Sequence, residues 1–261
     1  MENREIIKIY KTLDIKNKII FFNYILFSLI SKLIKVRISS KFTIDFSGTK
    51  YRISIGRGEL NTIYHTNLLK DYMQLKNFIP RKSHVCIDVG ANIGSTSLSW
   101  YKPVTAGKIY AIEPYPRTFY SLKKNIKINE ANETIFPKQL AIGSTDGMIP
   151  LFVADRGTMA MLPGDYGLKG KEITVKSMCL DSFIKQENLG SVDLMKIDIE
   201  GYELEALKGA VQTLEITKRI VLEYHSTLLR EECLQILRKN NYHIFEKGLL
   251  IFSWKNKYKL F

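Results

Sequence analysis

The chain has 261 residues, 45% of them apolar and 25% charged, which excludes a disordered protein and suits one large α/β domain with an N-terminal extension. A net charge of +13 and a pI near 9.5 favour acidic partners: phosphate-bearing compounds, an anionic membrane surface or nucleic acid. The basic residues are scattered and no RNP, zinc-finger or helix-turn-helix signature appears, which argues against nucleic acid. The three cysteines (Cys86, Cys179, Cys233) show no C-x-x-C, which argues against a disulfide framework and for a reducing, cytoplasmic compartment.

In chain order, the first stretch to stand out is Ile19 to Ile30, twelve uncharged, mostly apolar residues in a basic N-terminal segment. It is too short to span a bilayer, which needs about 20 residues, and SKLIKVRISS after it offers no small-residue cleavage site. The spacing predicts an amphipathic helix over 16–37. Such a helix either lies peripherally on the anionic inner membrane face or packs on the catalytic domain. Alternating apolar residues over 42–55, broken by Ser47-Gly48-Thr49, predict a hairpin. Apolar spacing over 59–79 predicts a helix that Pro80 ends. A domain boundary is placed there, giving an extension over 1–80 and a second domain over 81–261.

From 85 onward strands and helices alternate: strand 85–89, helix 94–101, strand 108–112, helix 116–129, strand 134–142. That rhythm predicts a parallel sheet with helices on both faces. Two antiparallel strands, 149–153 and 171–177, flank the loop 155–170, which has no apolar periodicity and reads as a substrate lid or a surface loop. Strand 192–201, a helix carrying Leu204, Leu207, Ala210 and Leu214, strand 219–225, helix 227–240 and strands 242–246 and 249–254 close the chain.

The chemistry concentrates at strand ends. Val85-Cys86-Ile87-Asp88-Val89-Gly90-Ala91-Asn92-Ile93-Gly94 reads as a buried strand, an acid, a glycine turn and a helix start. A dinucleotide fingerprint needs G-x-G-x-x-G, but Asn92 stands where the second glycine would approach the pyrophosphate. An acid before the turn suits a cofactor with an ammonium and a sulfonium, and S-adenosylmethionine has both. An ordinary strand–turn–helix without ligand is the plain alternative. Glu113-Pro114 ends the next strand about 20 residues on, the spacing at which an acid reaches a ribose diol. Asp198, Glu200, Glu223 and His225 close two further strands; side chains alternate along a strand, so each pair points one way. Three readings stay open. A carboxylate or His225 takes a proton from a substrate hydroxyl, or these groups hold a divalent metal, or they cap helices and bind cofactor polar groups.

The segments DVGANIG (88–94), AIEP (111–114), LMKIDIEGYELEALKGA (194–210) and LEYH (222–225), in this order, resemble the FkbM methyltransferase family over about residues 83–250. The resemblance implies a class I, Rossmann-like fold: α/β, doubly wound, with a mostly parallel seven-stranded sheet whose last strand is antiparallel. It implies S-adenosylmethionine as cofactor and O-methylation of a hydroxyl on a small molecule or glycan. It places Asp88, Gly90, Asn92 and Gly94 at the methionine end, Glu113 at the ribose and Ala141 beside the adenine, with Ala91 and Pro114 also in the cofactor set. Asp198 joins the cofactor set, and Asp198, Glu200 and His225 form the candidate catalytic set, with no metal assigned. A membrane-associated protein that binds S-adenosylmethionine without turnover is the alternative from another class.

Overall fold

In a computed structural model the described residues are 41–54, 59–154, 160–161 and 170–255, with positions 10, 11, 13, 15, 17–19, 21, 22, 25 and 26 of the N-terminal segment. Most of the predicted helix 16–37, the hairpin end at 55–58 and most of loop 155–170 lie outside them. Within the N-terminal segment Leu13 and Phe21 are buried, whereas Ile19, Phe22 and Leu26 are exposed. Among the described residues no helix is long and apolar enough to cross a membrane.

Strands β1 (Lys41–Phe46) and β2 (Thr49–Ser54) pair as the expected hairpin. The predicted helix over 59–79 does not form as one piece. Helix α1 (Glu59–Ile63) runs into a π-helical turn (Tyr64–Leu69), Lys70 turns left-handed at φ 52°, and two short 3₁₀ turns follow (Asp71–Met73, Lys76–Phe78). Thr66 Oγ1 donates to the Thr62 carbonyl at 2.8 Å and Asn67 Nδ2 to the Ile63 carbonyl. Such back-bonding loosens a helix without changing its apolar spacing, so the sequence period does not record it.

The main sheet has seven strands. They are β3 (Val85–Val89), β4 (Lys108–Ile112), β5 (Ile135–Lys138), β10 (Leu194–Ile197), β11 (Arg219–Glu223), β12 (Tyr242–Lys247) and β13 (Leu250–Lys255), in the order β12-β13-β11-β10-β3-β4-β5. Neighbours pair parallel from β11 through to β5, and β13 runs antiparallel to both of its neighbours. This is the expected doubly wound α/β sheet. Alternate residues feed opposite cores: Cys86, Ile109, Leu194 and Val221 on one face, Ile87, Tyr110, Met195 and Leu222 on the other. Helices α2 (Ser95–Tyr101) and α3 (Pro116–Ile128) follow β3 and β4. The chain then crosses from β5 to β10, beside β3, and this reversal opens a crevice at the carboxyl ends of β3 and β10.

Three predicted elements are corrected. Strand 134–142 splits: β5 holds Pro137 at the sheet edge, where a missing N–H is tolerated, and β6 (Ala141–Gly143) enters a second sheet. There it pairs in parallel with β9 (Gly170–Cys179), which pairs antiparallel with β7 (Gly147–Ala154); β8 (Ala160–Met161) lies on the outer edge. Helix α4 (Leu180–Gln186) leads back to the main sheet. The helix after Gly201 is two, α5 (Glu203–Lys208) and α6 (Val211–Ile216), parted at Gly209, where a Cβ would stand 2.3 Å from the Gly143 carbonyl oxygen. Strand 192–201 stops at Ile197, because Glu200 (φ 54°) and Gly201 (φ 100°) are left-handed and end the ladder. Helix α7 (Thr227–Lys239) precedes the final hairpin.

Candidate active site

The glycine turn is pinned from both sides. Gly90 and Ala91 donate their N–H groups to the Ile112 carbonyl at 3.0 and 2.8 Å, tying the turn to the end of β4. Asn125, buried on α3, donates Nδ2 to the Ile93 carbonyl at 2.9 Å. Gly90 has φ +79°, and a Cβ there would lie 1.8 Å from the Asp198 carbonyl oxygen. Its lack of a side chain therefore lets β3 and β10 converge, a reason different from the ligand approach read from the sequence. Gly94 (φ +90°) lines neither cleft; a Cβ there would meet Leu122 Cδ1 at 2.6 Å.

Asp88 also departs from expectation. It is fully buried one residue inside β3 and borders neither cleft. Its Oδ2 accepts from Ser97 Oγ at 2.6 Å, and its Oδ1 lies 3.3 Å from Lys196 Nζ. Side-chain alternation turns it onto the face covered by α2. It supports Lys196, whose ammonium also stands 3.2 Å from Asp198 Oδ2 and donates to the Gly90 carbonyl at 2.8 Å. Burial opposes that charge, but Asp198 and Asp88 outweigh it and hold the Lys196 pKa above its ordinary value.

Two open clefts adjoin along Gly90, Asn92, Asp198 and Glu200. The first is lined by Glu113, Pro114, Ala141 and an apolar set that includes Ile112, Leu140, Ile142 and Leu151. Each Glu113 oxygen accepts one backbone N–H at 3.0 Å: Oε2 from Asn92 and Oε1 from Tyr115. Burial pushes this carboxyl up to about 7, and the Tyr115 and Asn92 hydrogen bonds pull against it.

The second cleft brings together Asp198, Glu200 and His225. They do not converge through strand alternation, since Asp198 and Glu200 lie in the turn after β10 and His225 lies beyond the end of β11. His225 Nε2 is 3.7 Å from Asp198 Oδ1 and 3.6 Å from Glu200 Oε2. Its Nδ1 is 2.9 Å from Oε1 of Glu203, a fully buried carboxylate that also accepts from the Ile199 and Gly201 N–H groups. A carboxylate only accepts, so Nδ1 carries the proton and Nε2 faces the cleft. Burial disfavours the imidazolium, but the hydrogen bond and charge of Glu203, with Asp198 and Glu200, overcome it and raise His225 to about 9. Burial and the charge of Asp198 raise Glu200 to about 6. Tyr72 donates toward Glu223 Oε2 at 2.6 Å and Asp198 Oδ2 at 2.9 Å. Asp198, Glu200 and His225 offer ligand atoms within 4.8 Å of one another, the geometry of the metal alternative. The Lys196 ammonium already supplies a cation beside Asp198 and weighs against that alternative.

Three contributors escaped the sequence reading: Tyr72, Lys196 and Glu203. A lysine inside an apolar central strand was a readable signal of a buried ion pair. Tyr72 sits among apolar residues of a helical pattern and carried no such signal.

The Methyltransferase FkbM domain family matches residues 88–244, a span that holds the glycine turn, Glu113 and the Asp198–Glu200–His225 cluster. The chain belongs to this family. It is a methyltransferase. It is similar to the hexuronic acid methyltransferase AglP of Haloferax volcanii, 27% identical over 191 residues that cover 72% of this chain and 71% of that one. It is similar too to the 2-O-methyltransferase NoeI of Sinorhizobium fredii, 23% identical over 64% of this chain and 73% of that one. Among solved structures it is similar to Aeropyrum pernix fibrillarin in complex with S-adenosyl-L-methionine, with 15% identity, a TM-score of 0.44, and 83% of this chain and 84% of that one covered.

Proposed function

We propose that this methyltransferase moves the methyl group of S-adenosylmethionine onto a hydroxyl of a small-molecule or glycan acceptor. Glu113 carries the reading. Its two oxygens are each oriented by one N–H and retain further acceptor capacity beside a largely apolar cleft that Glu113 lines, an acceptor pair that fits a ribose diol beside an adenine. Ala141, Pro114 and the apolar wall would hold the base, and Gly90, Ala91 and Asn92 would hold the methionine end. Bound there, the cofactor supplies an electrophilic sulfonium methyl. The names of the relatives, a hexuronic acid methyltransferase and a 2-O-methyltransferase, support an oxygen acceptor on a carbohydrate.

In this reading the chain's own residues supply proximity and proton transfer. His225 Nε2 takes the acceptor hydroxyl proton, held in that orientation by Glu203, while Asp198 and Glu200 border the same space. Asp198 and Glu200, in the turn at 198–201, line both clefts, and His225 lines the second.

Glu113→Ala weakens S-adenosylmethionine binding by about 1.5–3 kcal/mol, the worth of a charge-assisted hydrogen bond. Calorimetry that finds unchanged affinity in the folded variant removes Glu113 from the site. The pH profile tests the base. An imidazole works as a base only when neutral, and His225 titrates near 9. So kcat/KM of the free enzyme rises about tenfold per pH unit on approach to 9 and then levels. A limb near 6 moves the role to Glu200.

A further inference from the structure

Five residues of the second cleft's lining precede the family's span of 88–244: Thr62, His65, Thr66, Asp71 and Tyr72. Thr62 lies in the last turn of α1 and the other four on the irregular turns after it, so the loss of regular helix there and the shape of the cleft have one origin. Tyr72 reaches across to the Asp198 and Glu223 carboxylates and fixes the wall against the ends of β10 and β11.

The cleft's charges are already matched internally. Lys196 stands between Asp88 and Asp198. His65 Nδ1 is 2.8 Å from Asp71 Oδ2. His225 is faced by Glu203, Asp198 and Glu200. Thus each cationic or ionisable basic group among the described lining residues meets a carboxylate, and Glu223 adds a further acid. A carboxylated or phosphorylated acceptor entering here would leave water, meet this acidic lining and find no unmatched cation, which is costly in a partly buried site. A neutral or amine-bearing polyol finds hydroxyl and carboxylate partners throughout.

We infer that the segment 62–72 is the acceptor-recognition wall and that it selects non-anionic, hydroxyl-rich acceptors against anionic ones. The inference rests on the proposed methyl-transfer reading and deepens it. It sets this chain apart from a relative whose name specifies a hexuronic acid.

The test uses the full chain with S-adenosylhomocysteine bound and three probes of matched length: malto-oligosaccharide (neutral), chitosan oligosaccharide (amine-bearing) and oligogalacturonate (carboxylated). Binding is followed by saturation-transfer NMR near pH 6. The neutral and amine-bearing probes bind at least tenfold more tightly than oligogalacturonate. Tyr72→Phe weakens them severalfold with cofactor affinity within twofold. Asp71→Asn takes the carboxylate from His65 and lets oligogalacturonate gain about tenfold, a gain that simple loss of structure does not produce. Oligogalacturonate binding as tightly as the others, no binding by any probe, or no gain in a folded Asp71→Asn protein overturns the inference. Failure to bind the cofactor in calorimetry instead overturns the methyl-transfer reading itself, so the two failures are told apart.

Discussion

His225→Ala lowers turnover by about 10²–10⁴-fold while cofactor affinity changes little, the range for losing a positioned proton acceptor. The imidazole borders the second cleft and not the first, where Glu113 lies. Its removal therefore spares the proposed ribose and adenine contacts. Glu203 keeps its bonds from the Ile199 and Gly201 N–H groups in the variant, so the turn at 198–201 persists. Glu200→Gln lowers turnover less, because Glu200 stands 3.6 Å from Nε2 and acts on the charge of the imidazole rather than on its orientation. Single-turnover rates together with calorimetry check both. Full activity in the His225→Ala protein ends its assignment as the base.

Gly90→Val abolishes cofactor binding and also lowers the melting temperature. At φ +79° any side chain carries a left-handed penalty of about 1–2 kcal/mol. The larger cost is steric. The new Cβ falls 1.8 Å from the Asp198 carbonyl oxygen and 2.9 Å from its carbon, and neither is the yielding tip of a side chain. Either β3 or β10 must shift, and Gly90 and Asp198 line both clefts. Gly94→Ala serves as the contrast, since its closest obstacle is Leu122 Cδ1, the end of a flexible side chain. A Gly90→Val protein that binds the cofactor normally at an unchanged melting temperature contradicts this account.

The sequence by itself determined where strands and helices alternate and the order of the motifs, because apolar period and glycine position are local properties of the chain, but it overran β5 and β10 and joined α5 to α6. It also placed Glu113 before its proline, and Asp198, Glu200 and His225 at neighbouring strand ends. Tertiary structure alone decided which acids face a cleft. Asp88 turned inward because its strand face is covered by α2, and Glu200 was aimed by a left-handed turn rather than by strand alternation. Glu203 became the partner of His225 because α5 starts beside the end of β11, a relation that spans 22 residues of sequence. Tyr72 reached Glu223 across 151 residues. Such contacts depend on how packed elements meet. A pattern of apolar positions encodes that an element has a buried face, and the fold settles what that face touches.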